Sequence, residues 1–146
     1  SVTDINKSTR SVVKERDLKH SREKVWRALT QRQLIEEWLM KSDFKAEPGH
    51  RFELNAEWGT VSCEVLAVEQ NESLSYSWEA HGLESIVTWT LTETETGTRL
   101  RMEQTGFRPD QDLAYRGAIA GWDRFLDKLE QVVADLNHAA EQGSAR

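Results

Sequence analysis

Between Asp43 and Gln104 apolar and polar residues alternate with a period of two. Phe52, Leu54 and Ala56 alternate with Glu53 and Asn55, Leu74, Tyr76 and Trp78 with serines, Val87, Trp89 and Leu91 with threonines, and Leu100 and Met102 with Arg101 and Glu103. Successive side chains of a strand point to opposite faces, so each run predicts a strand with one apolar side, as in an antiparallel sheet wetted on the other. Pro48-Gly49, Trp58-Gly59, Gln70-Asn71, His81-Gly82 and Thr96-Gly97 separate the runs and predict turns, leaving room for six strands. The run from Val61 to Val68 breaks the pattern: Cys63 and Val65 share one parity, Leu66 and Val68 the other, and a bulge would reconcile them.

Outside this region the period lengthens. Residues 11–18, SVVKERDL, predict a first strand. Ser21 then stands as the N-cap of a short helix carrying Val25, Trp26 and Leu29. Thr30 and Gln33 have capping-box spacing ahead of Leu34, Ile35, Trp38 and Leu39, which predicts a second short helix. From about Asp110 to Leu136, Tyr115, Ile119, Trp122, Leu126, Leu129, Val133 and Leu136 recur at steps of three and four, predicting one long amphipathic helix. A strand, two short helices, six strands and a long helix make an α+β domain whose sheet must bury its apolar face against the last helix. Residues 1–10 and 137–146 are polar and aperiodic and read as disordered tails around a single domain at 11–136.

The final helix contains Gly117 and Gly121, four residues apart, although each glycine costs a helix about 0.5–1 kcal/mol relative to alanine. Close packing against a neighbouring backbone is the expectation. The alternative is a thin helix wall where a ligand lies between helix and sheet.

Composition narrows the partners. The formal net charge of −6 over 146 residues disfavours a phosphate backbone, so nucleic acid is not expected as a partner. A single cysteine, Cys63, excludes an intramolecular disulfide and suits a reducing cytoplasm. No apolar run approaches the ~20 residues that cross a bilayer, and the first ten residues lack the apolar segment of a secretory leader, so no membrane insertion is expected.

Six tryptophans are a heavy allocation, and Trp38, Trp78, Trp89 and Trp122 all occupy inward positions. With Phe52, Leu54, Tyr76, Met102, Tyr115 and Ile119 they would wall an elongated apolar cavity between sheet and helix. Gln104 extends the inward row of Leu100 and Met102, where its amide must find partners, either a neighbouring backbone or, with Tyr76, the polar end of a ligand. Cys63 reads as an apolar filler, with no base or helix N-terminus in sequence to favour its thiolate. The four histidines, His20, His50, His81 and His138, show no metal-ligand spacing. No catalytic residue, metal or cofactor is assigned.

The stretches HSREKVWRALT, LIEEWL, EPGHRF, ESLSYSW, GTRLRMEQTGF and GWDRFLDKL, in this order, resemble the activator of heat-shock-protein-90 ATPase homologue family of the START-like superfamily. The resemblance runs from about residue 11 to residue 132. It implies a helix-grip fold, with a seven-stranded curved antiparallel sheet wrapped around a long C-terminal helix and two short helices between strands 1 and 2. It further implies a hydrophobic small-molecule site in the cavity, with a co-chaperone-like interaction module in the stress response and a cyclase- or hydrolase-type enzyme as alternatives. Where many relatives carry a histidine, this chain has Gln104 in EQTGF, so an imidazole role there is absent.

Overall fold

The computed structural model describes the backbone of residues 9–144 and side chains as far as residue 136. Strand β1 (Arg10–Leu18) is followed by helices α1 (Arg22–Thr30) and α2 (Arg32–Trp38). Six more strands follow, β2 (Lys41–Ser42), β3 (Arg51–Ala56), β4 (Gly59–Glu69), β5 (Ser73–Ala80), β6 (Leu83–Thr94) and β7 (Gly97–Phe107). A 3-10 turn over Pro109–Gln111 then leads into α3 (Asp112–Ser144). All seven strands form one antiparallel sheet in the order β1-β7-β6-β5-β4-β3-β2, the helix-grip arrangement.

The alternation sets the register. Leu74 pairs with Trp89 and Trp89 with Met102, while Tyr76 pairs with Val87 and Val87 with Gln104, so whole rows of inward side chains align across the sheet. The parity break in β4 is a register shift between Val65 and Ala67, which leaves Leu66 44% exposed while Cys63 and Val65 stay buried. Where the first of the six strands was expected from Asp43, β2 has only Lys41 and Ser42, and the chain then loops to β3, with His50 and Asp43 joined by a 3.0 Å hydrogen bond.

Ser21 caps α1 as expected, accepting from the Lys24 amide at 3.3 Å. The capping box at Thr30 does not form. Thr30 is the last residue of α1 and its hydroxyl donates to the Trp26 carbonyl at 2.7 Å, so α2 starts from Gln31 without a side-chain cap. The α3 backbone continues to Ser144, past the Leu136 end that periodicity predicts. The expected tails at 1–10 and 137–146 lie mostly outside the residues whose side chains are described.

The long helix is tied to one edge of the sheet. Inward positions of β1 alternate Val12, Lys14, Arg16 and Leu18, and the two cations reach α3: Lys14 to Asp123 at 3.0 Å, Arg16 to Asp127 and Glu130 at 2.9 Å each. Arg10 adds an ion pair with Asp112 at 3.1 Å. Inward charges also blunt an edge strand against pairing with another chain.

Candidate ligand-binding site

The core is filled with rings. Trp38 meets Trp89 edge-on at 5.7 Å, Trp89 meets Trp122 at 5.7 Å, and Trp122 meets Trp78 at 5.3 Å. Phe44, Phe52 and Tyr76 continue the cluster, with Phe52 5.0 Å from Phe44 and 5.4 Å from Tyr76. Buried ring N–H groups require acceptors, and three find them. Trp38 Nε1 donates to the Ala28 carbonyl at 2.8 Å, Trp89 Nε1 to the Tyr76 hydroxyl at 3.0 Å, and Trp122 Nε1 to Gln104 Oε1 at 2.7 Å.

Trp38, Phe52, Leu54, Tyr76, Trp89 and Met102 therefore pack into this core, each no more than 4% exposed, and none is among the residues that line the groove beside α3. Tyr115 lies on the β1 side of α3, its ring 5.4 Å from Phe107 and 4.0 Å beneath the Arg10 guanidinium, its hydroxyl donating to the Ser11 carbonyl at 3.3 Å. Ile119 is half-buried against the core. The elongated cavity expected along the sheet is largely closed by the rings thought to wall it, because their edge-to-face contacts interlock.

A groove of about 230 Å³ lies open beside the first three turns of α3. One wall is Ala114, Gly117, Ala118 and Gly121, spaced three and four apart on one helix face, with Phe125 further along. Facing them are Met40, Trp58, Trp78, Leu83 and Gln104, and Trp122 of α3 itself closes the inner end, so of the residues expected at the site only Trp78, Gln104 and Trp122 meet here. Trp58, at the β3–β4 turn, is 56% exposed and lies 5.6 Å from the His81 ring at the β5–β6 turn. His81 and Gly82 both have positive φ, 50° and 82°, as a two-residue hairpin needs.

The glycines resolve against close packing. A Cβ added at Gly117 or Gly121 meets nothing within 4 Å, so no neighbouring backbone requires their smallness. They thin the groove wall instead. The paired glycines and the exposed Trp58 were readable as oddities, a costly pair in a helix and a large ring at a turn; their convergence depends on how β3 and β4 fold back towards α3.

Electrostatically the groove is neutral. None of its eleven lining residues is titratable, so the lining offers no group to move a proton. Gln104 is 2% exposed with both ends of its amide bonded, Oε1 to Trp122 and Nε2 to Ser85 Oγ at 3.0 Å, while Ser85 donates to the Trp78 carbonyl at 2.8 Å. An indole nitrogen only donates, which fixes which end of the amide faces Trp122. Away from the groove, burial pushes the Cys63 thiol up to about 12, with Glu79 adding to the shift, which keeps the sulfur protonated. Among the described residues no group of three or more His, Cys, Asp or Glu is placed to hold a metal ion, and no described helix is long and apolar enough to cross a membrane.

A curled sheet gripping a C-terminal helix, with an apolar groove left at one end of the grip, defines a START-like domain. The pattern of the Activator of Hsp90 ATPase homolog 1-like proteins matches residues 19–134, and the chain belongs to that family. Among solved structures it is similar to protein MLL2253 from Mesorhizobium loti, with 59% identity, a TM-score of 0.84 and coverage of 86% of this chain and 98% of that one. Protein BH1534 of Bacillus halodurans is 29% identical with a TM-score of 0.76, covering 85% and 96% of the two chains. CalU16 from Micromonospora echinospora is 26% identical with a TM-score of 0.74, covering 86% and 74%. No curated protein sequence is significantly similar to the chain.

Proposed function

We propose that this protein binds a small hydrophobic molecule in the groove between the first turns of α3 and the sheet end at the β3–β4 and β5–β6 turns. The observation that carries the reading is the open space at Gly117 and Gly121. A soluble protein leaves few apolar hollows unfilled, and this one is kept open by two residues that each weaken the helix holding them. Trp78, Gln104 and Trp122, with Met40, Trp58, Leu83 and Phe125, form the contact surface. Burying ~200 Å² of ligand apolar surface would yield about 5 kcal/mol before association costs, which suits weak to moderate affinity.

Three tryptophans line the groove, so occupancy reads out in intrinsic fluorescence. Titration with a panel of hydrophobic compounds is expected to give a saturable change for some members, diminished by Gly121→Leu, which projects a side chain into the hollow. A flat response from every member would remove the reading.

A further inference from the structure

The groove's composition restricts what it takes. This rests on the binding role just proposed and adds the class of ligand.

Charge is the first restriction. A carboxylate or ammonium inside the groove would lose its water and find no counter-charge among the lining residues. Size is the second. An apolar cavity of about 150 Å³ takes up benzene, so about 230 Å³ has room for roughly two fused rings. Shape is the third. Across the wall formed by Ala114, Gly117, Ala118 and Gly121 no side chain is longer than a methyl group, so bare helix backbone makes a level floor. The facing surface supplies the indoles of Trp58 and Trp78, and α3 adds that of Trp122 beside the floor; indoles favour offset-stacked or edge-on contact with another ring. Gln104 adds one polar feature, since after its bond to Ser85 its Nε2 retains a second N–H.

We propose that the groove selects uncharged, flat aromatic molecules of about two fused rings carrying an acceptor oxygen, and that Gly117 and Gly121 set the selection by forming the floor. Trp58 is the side chain at the mouth. Its exposure means that its removal changes the groove without opening the core.

The test uses matched probes and calorimetric titration at neutral pH. 2-Naphthol and decahydro-2-naphthol share a skeleton and a hydroxyl but differ in flatness; methyl 2-naphthyl sulfone and naphthalene-2-sulfonate share two fused rings and acceptor oxygens but differ by one negative charge. The flat and the neutral member of each pair are expected to bind at least tenfold more tightly than their counterparts. Gly121→Leu is expected to weaken 2-naphthol at least tenfold and Trp58→Ala several-fold, with circular dichroism unchanged; should Gly121→Leu disturb folding, Gly117→Leu and Trp58→Ala carry the comparison. Equal binding of the saturated or sulfonated counterparts, still lost with Gly121→Leu, overturns the ligand class and leaves the groove as the site. Silence from all four probes, or binding that none of the three variants changes, overturns the groove reading along with it.

Discussion

Gly117 and Gly121 sit in ordinary helical backbone with empty space where a Cβ would go. Each change to alanine should therefore raise stability by about 0.5–1 kcal/mol, visible as an upward shift in the urea midpoint, while narrowing the groove. Gly106 is the opposite case. Its φ is +115° and an added Cβ would lie 2.6 Å from the Glu84 carbonyl oxygen, so Gly106→Ala should lower the midpoint. Gln104→Leu removes the acceptor of the Trp122 ring and the donor to Ser85, leaving a buried N–H unpaired, and should cost about 1–3 kcal/mol in the same measurement. At this scale the sequence was informative about burial and poor about openness. Strand parity at Trp89 and Met102 and helical spacing at Trp38 told that these side chains face inward, but whether rings interlock or leave a gap depends on angles between them, which no spacing encodes. Gln104 shows both sides, since its inward position was legible and its partners, Trp122 and Ser85, were not.

Among the elements, strands and helices followed from period alone wherever one face is buried, because a one-residue slip would turn a whole apolar row outward. Legibility failed where local chemistry competes: Thr30 bonds back into α1 rather than capping α2, and β2 is held by two residue pairs with β3 that leave little pattern. What alternation does show in β1, once paired, is Lys14 and Arg16 facing inward as a strap to α3. Desolvation opposes the charge on Arg16, yet its bonds to Glu130 and Asp127 raise its pKa on balance, consistent with a pairing that outweighs burial. These partners are 43% to 72% exposed, so each pair is worth only a few tenths to about 1 kcal/mol. The double variant Lys14→Ala, Arg16→Ala should lower stability by about 1 kcal/mol at low ionic strength, and salt near 1 M should erase most of the difference. A loss unchanged by salt would mean that the aliphatic stems, rather than the charges, hold the helix.

For the molecule as a whole, the ring-filled core couples folding to alkaline pH. Cys63 and Tyr76 stand on neighbouring strands, β4 and β5, within the same buried cluster. Burial pushes both acids up, the thiol to about 12 and the phenol well above its usual range, although the hydrogen bond from Trp89 to the Tyr76 oxygen pulls the other way. The folded state thus holds protons that the unfolded chain gives up. Stability from this source is complete below the ordinary thiol value of 9.0 and is lost as pH climbs towards about 12, by up to about 1.4 kcal/mol per pH unit for each group that ionises only on unfolding. Urea midpoints measured at steps from pH 7 to pH 11 should be flat at first and fall beyond about 9, and Cys63→Ala should make the first part of that fall shallower. The native thiol at pH 9 should also react with a disulfide reagent far more slowly than the thiol of the urea-unfolded chain. Equal rates in the two states would show that water already reaches the sulfur, and the seal that the aromatic cluster makes over this side of the sheet would then be leakier than its packing requires.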